Sequence, residues 1–147
     1  MRYADDFIMG FQEEEDAKAF RIELEARLRQ FGLRLSEEKT RLIEFGRYAS
    51  QRRKRRGELK PETFTFLGFT HYCGKNRTTG NFMVWRKTDR KRFRQRLQAI
   101  KEGLRERFHE KLNVVGQWLR NVMTGYMQYL AIPGNSNSLS AFRYQVA

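Results

Sequence analysis

The chain has 147 residues, and its 30 Lys/Arg against 17 Asp/Glu give a net charge of +13; that length suits one modest domain or two small subdomains. A single cysteine excludes a disulfide framework and a cysteine-based zinc site, and no run of 18 apolar residues is present, which excludes a membrane-spanning helix. The basic excess selects a polyanionic partner, because each cation set against a phosphate releases a condensed counterion; nucleic acid, an anionic membrane surface and a structural RNA scaffold are the three classes it leaves.

The charge is unevenly placed. Residues 1–46 carry 8 Lys/Arg and 11 Asp/Glu, whereas residues 47–147 carry 22 and 6. A polyanion-binding surface is therefore expected mostly after residue 46. The first residues are acidic and lack the apolar core of a signal peptide, so the expectation is an intracellular protein.

The chain opens "MRYADDFIMGF". It reads as a hairpin in which Tyr3 and Ala4 end one strand, Asp5 and Asp6 form the turn, and Phe7 starts the next strand, since aspartate side chains bond nearby amides in turns. Glu13 to Asp16 then open a helix, where acids complement its N-terminal partial charge. Ala17, Phe20, Leu24, Leu28 and Phe31 recur at helical spacing as one buried stripe, and Gly32 supplies the stop. Residues 33–45 read as a short strand, a turn at 36–39 and a second strand at 42–45. Residues 47–62 read as a basic loop, because six of the ten residues from Arg47 to Arg56 are Lys or Arg and repel one another.

Residues 63–70, "TFTFLGFT", alternate as a strand does, and "NFMVWRK" provides its hairpin partner. Thr88 is expected to cap a long helix with Asp89 in its first turn. Phe93, Leu97, Ile100, Leu104 and Phe108 line one face of that helix, and Arg90, Lys91, Arg92, Arg94, Arg96, Lys101 and Arg105 crowd the other. A further helix near 113–130 buries Val115, Trp118, Leu119, Val122, Tyr126 and Leu130, and Ser138 caps a third. His71, Cys73 and His109 read as structural or incidental.

Adjacent carboxylates repel unless a cation lies beside them, and Mg²⁺ typically takes one or two protein carboxylates together with substrate phosphates. An isolated Asp-Asp pair is most often an exposed turn. Here it stands in "YADD", which resembles the palm hairpin of reverse transcriptases. Three later blocks resemble that family in order: "FGLRLSEEKTRLIEF" a following palm motif, "FTFLGF" the hairpin that grips the primer end, and "VGQWLRNVMTGYMQYLAIPGNSNSLSAFR" the thumb, or maturase, helices of group II intron-encoded enzymes.

The resemblance implies an α+β fold, with the C-terminal half of a polymerase palm over residues 1–86 and a helical thumb over 87–147. It implies Asp5 and Asp6 as ligands of a two-metal Mg²⁺ site, and Lys39 as a donor to the leaving pyrophosphate. Tyr3 and Ala4 would lie beneath the terminal base pair, and Phe66, Leu67, Gly68 and Phe69 would grip the primer. From charge and the resemblance together, Arg52, Arg53, Lys54, Arg55, Arg56, Arg90, Lys91, Arg94 and Lys101 are the expected nucleic-acid contacts. The implied partners are RNA as intron or template, a DNA primer, deoxynucleoside triphosphates, and a fingers–palm half that carries another metal-binding aspartate. Without that half the chain alone is expected to be inactive as a polymerase. A splicing-assisting, RNA-binding module stands beside the polymerase reading. The expected location is the cytoplasm, with the nucleoid or a ribonucleoprotein, or an organelle.

Overall fold

The computed structural model describes residues 1–58 and 60–146. The fold is α+β, and the described residues form two small antiparallel sheets and five helices. They fall into two compact units, Met1–Glu44 and a second that begins at Phe45.

In the first unit, β1 (Arg2–Tyr3) pairs with β2 (Asp6–Phe7) in the register Arg2 to Phe7 and Tyr3 to Asp6. The ladder is extended by the Ile8 amide, which donates to Met1 O, and by the Met1 ammonium, which donates to Ile8 O, both at 2.7 Å. Helix α1 (Glu14–Gln30) carries Glu14, Glu15 and Asp16 in its first turn, and Lys18–Glu14 and Arg21–Glu25 pairs run along its surface. Its end is a Schellman turn: Gly32 at φ +68° donates to Arg29 O, and Leu33 donates to Leu28 O.

Two expectations change here. The α1 stripe is shallow, with Ala17 buried, Phe20, Leu24 and Leu28 half-buried, and Phe31 exposed at 69%. Ala17 is the one buried residue among those described in this unit, so too little apolar surface closes over the stripe to bury it. Residues 33–45 keep the turn, in which Lys39 and Thr40 donate to Ser36 O. Neither flank becomes a strand, because neither finds a ladder partner among the described residues.

The second unit holds helix α2 (Ala49–Arg55), a meander of β3 (Phe64–Phe66), β4 (Phe69–Lys75) and β5 (Phe82–Thr88), and helices α3 (Arg90–Glu106), α4 (Leu112–Leu130) and α5 (Ser136–Val146). Its core joins Phe69 of the sheet to Ile100, Tyr126, Leu130 and Phe142 of the helices, flanked by Phe93, Leu97, Leu119 and Val122. The Tyr126 and Phe142 rings pack in a tilted contact, 4.3 Å between ring centres and 50° between planes. Full burial of each such side chain contributes roughly 1.5–3 kcal/mol.

Residues 49–55 of the basic stretch form a helix, whereas 56–58 and 60–62 stay a loop and Leu59 lies outside the described residues. Lys and Arg are good helix formers, and the chain carries its own counterions: Arg53 pairs with Glu58 at 3.3 Å and Glu62 at 3.9 Å. Residues 63–70 are not one strand. They break at Leu67-Gly68, whose φ values of +49° and +78° make a two-residue hairpin turn between the paired Phe66 and Phe69. Asp89, not Thr88, caps α3, its carboxylate accepting the Arg92 amide at 3.1 Å. Phe108 lies beyond α3 and is 81% exposed. Helix α5 starts at Ser136, ahead of Ser138.

Thr88 has another task. The fully buried Asn135 accepts the Thr88 amide at 2.9 Å, exchanges hydrogen bonds with the Thr88 hydroxyl, and donates to Leu130 O at 3.0 Å. One amide thus ties the end of β5 to the end of α4. No helix among the described residues is long and apolar enough to cross a membrane.

Candidate nucleic-acid interface and acidic hairpin

The acidic hairpin turns one residue earlier than expected. Ala4 and Asp5 form its tip, and Asp6 begins β2. Ala4 takes φ +51°, a left-handed conformation that costs an L-residue about 1–2 kcal/mol. Both aspartates are exposed, and Tyr3 is 64% exposed. Lys39 is exposed in its own turn.

Two adjacent carboxylates are the hard oxygen donors Mg²⁺ prefers, so Asp5 and Asp6 fit part of a magnesium shell. Among the described residues no group of three or more His, Cys, Asp or Glu converges to hold a metal ion.

The Leu67-Gly68 turn in the second unit is held from two sides. The Tyr129 hydroxyl of α4 donates to Leu67 O at 2.6 Å, and the Asp89 amide, ahead of α3, donates to Gly68 O at 2.9 Å. Phe66 and Phe69 are buried, with Phe69 stacked on the Tyr129 ring at 5.6 Å. Leu67 is 37% exposed at the tip. A Cβ on Gly68 would meet the Arg92 side chain at 3.1 Å, so glycine here serves both the turn and the close approach of α3.

The basic residues separate into two kinds. In α2, Arg53 is mostly covered and salt-bridged, and just past its end Arg56 bonds Glu58, whose carboxyl is held below its usual range first by that hydrogen bond. Arg52, Lys54 and Arg55 are exposed. On α3, Arg90, Lys91, Arg94 and Lys101 are all exposed. The expectation did not single out Arg92 and Arg96, which the structure places with Gln95 and Ala99 along a groove of about 590 Å³ whose far wall includes Gly125, Tyr126 and Tyr129 of α4. Their spacing of four residues, with Gln95 and Ala99 between and beyond, was the signal available in the sequence.

His71 is buried, stacks on Phe64 at 4.7 Å with the rings 4° from parallel, and sets Nδ1 3.1 Å from Phe69 O. Burial is the main influence that lowers its pKa. Cys73 is half-buried and receives the Gly46 amide at 3.3 Å. Both are structural in this setting.

An exposed acidic hairpin, a clamped aromatic turn and a cation-rich helix are parts suited to handling nucleic acid. The family that matches is the reverse transcriptase (RNA-dependent DNA polymerase) family, over residues 1–71. The match covers the YADD hairpin, α1, Lys39 and the Leu67-Gly68 turn, so the first 71 residues are similar to RNA-directed DNA polymerases. Comparisons with curated proteins and with solved structures return no match.

Proposed function

We propose that the chain is the C-terminal palm and thumb portion of a group II intron-type RNA-directed DNA polymerase, with the palm over residues 1–86 and the thumb from residue 87. Asp5 and Asp6 contribute oxygens to the Mg²⁺ that drives nucleotidyl transfer, and Lys39 donates to the departing pyrophosphate. Tyr3 and Ala4 adjoin the terminal base pair, and Phe66, Leu67, Gly68 and Phe69 position the primer. The exposed cations of α3 hold the RNA–DNA backbone without reading sequence. The observation that carries this reading is the family match, which includes both the acidic hairpin and the turn. RNA, a DNA primer and deoxynucleoside triphosphates are the corresponding partners and substrates.

Two carboxylates do not complete a two-metal site, so this chain alone yields no primer-extension product on an RNA template with Mg²⁺. Addition of a fingers–palm polypeptide that carries a further metal-binding aspartate restores extension, and Asp5→Asn abolishes it. Product from the chain alone that survives Asp5→Asn would overturn the assignment.

A second reading rests on the placement of the exposed α3 cations outside the matched residues. In it the chain is a maturase-like module that grips structured intron RNA. Splicing accelerated by the Asp5→Asn variant as fully as by the parent chain would favour that reading.

A further inference from the structure

We propose that the groove between α3 and α4 is a binding site for one nucleotide unit, a phosphate joined to a planar base, built on Arg92 and Arg96 rather than on Arg90, Lys91, Arg94 and Lys101. The groove holds about 590 Å³, within the range of small-molecule sites. Arg92 and Arg96 stand one helical turn apart along it, with Gln95 beside them. Neither arginine has a carboxylate partner among the described residues. Two unpaired guanidiniums on one wall are donors matched to a phosphate.

The opposite wall supplies the second observation. Tyr126 is 9% exposed, and its hydroxyl is buried without a hydrogen-bond partner among the described residues. A buried unsatisfied hydroxyl is costly, and here it belongs to a residue that lines the groove. The Arg96 guanidinium lies 5.2 Å over the same ring. A phosphate that draws Arg96 into the groove uncovers Tyr126, leaving its ring for a base and its hydroxyl for a ligand oxygen. Gly125 keeps the wall open, since a Cβ there would meet nothing within 4 Å.

The chemistry is shared by a free nucleotide and by one unit of a strand, and calorimetry with three probes separates them. Adenosine monophosphate that saturates at one site marks a free-nucleotide pocket. Saturation by an RNA tetranucleotide alone marks a strand-end pocket. Either supports the proposal, provided that Gly125→Leu, which fills open space, and the double change Arg92→Ala/Arg96→Ala each weaken binding at least about tenfold. Arg77→Ala, which removes an exposed cation from the β4–β5 turn, should leave it unchanged.

Tyr126→Phe provides a readout that a purely structural role would not give: it removes an unsatisfied group, so the melting temperature rises while affinity falls severalfold. Absence of saturation by both nucleotide probes overturns the proposal. So does undiminished binding by Gly125→Leu, or competition by inorganic phosphate as strong as that of adenosine monophosphate. The groove lies wholly in the second unit, so its failure leaves the Asp5-dependent extension test standing, and the reverse also holds.

Discussion

The phenol of Tyr129 hydrogen-bonds the carbonyl of Leu67 across 62 residues of sequence at 2.6 Å. That bond fastens the penultimate residue of α4 to the exposed tip of the β3–β4 hairpin. Leu67 holds a left-handed conformation at φ +49°, which a leucine adopts only when its surroundings insist.

Tyr129→Phe keeps the stack on Phe69 and removes only the bond. The expected loss is about 0.5–1.5 kcal/mol of stability, read from a urea midpoint. Amide exchange should rise around residues 66–69 and remain unchanged at Cys73 and Val84, farther along the β4–β5 ladder. Uniform acceleration across both sites would show that the bond does not act locally.

Asn135→Ala is the most damaging polar change expected. It leaves the Thr88 amide and hydroxyl without their side-chain partner and removes one of two donors to Leu130 O, which keeps the Ile132 amide, and each unsatisfied buried group costs about 1–3 kcal/mol. Thermal unfolding of Asn135→Ala and Asn135→Asp separates the effects, since the aspartate still accepts the Thr88 amide but cannot donate to Leu130. Equal melting temperatures for the two variants would contradict this account.

Gly103→Ala probes the α3–α4 contact. A Cβ there would stand 2.6 Å from the Trp118 ring, and Arg107 covers that ring with its guanidinium carbon at 4.5 Å while donating to Gly103 O. The half-buried indole must shift against the Arg107 guanidinium to make room, so overpacking of about 1–3 kcal/mol is expected. A Gly103→Ala/Trp118→Leu double variant should recover part of it.

Acid should weaken the second unit through His71. Burial favours the neutral ring, so the folded pKa lies below the usual 6.5. The unfolded chain then binds the proton more readily, and stability falls as pH drops through that range toward the folded value. Comparison of melting at mildly acidic and neutral pH measures the slope, and His71→Phe should flatten it. An unchanged slope would assign the acid sensitivity to other groups.

The legible parts of the fold were those written as local periodicity. Phe93, Leu97, Ile100 and Leu104 announced α3 because 3.6-residue spacing survives without knowledge of the partner. The α2 helix was hidden because charge repulsion was weighed without Glu58 and Glu62. Alternation in "TFTFLGFT" hid the Leu67-Gly68 turn, since a hairpin with a two-residue tip keeps nearly the same pattern as a strand. The Asp5-Asp6 tip was legible to within one residue. The Arg92–Arg96 groove was not, because a broad face of cations does not say which of them a second helix will flank. Asn135 gave no signal, as its partners lie far away in sequence or are backbone atoms.

The Thr88–Asn135 link spans 47 positions and encloses both long helices. It works as a clasp that closes a loop without a covalent bond. A single protease cut in the exposed stretch around Phe108–Lys111 would therefore not release either helix. The two pieces would remain joined by the clasp and the apolar seam between α3 and α4, and would separate only when the buried amide is itself exposed to water.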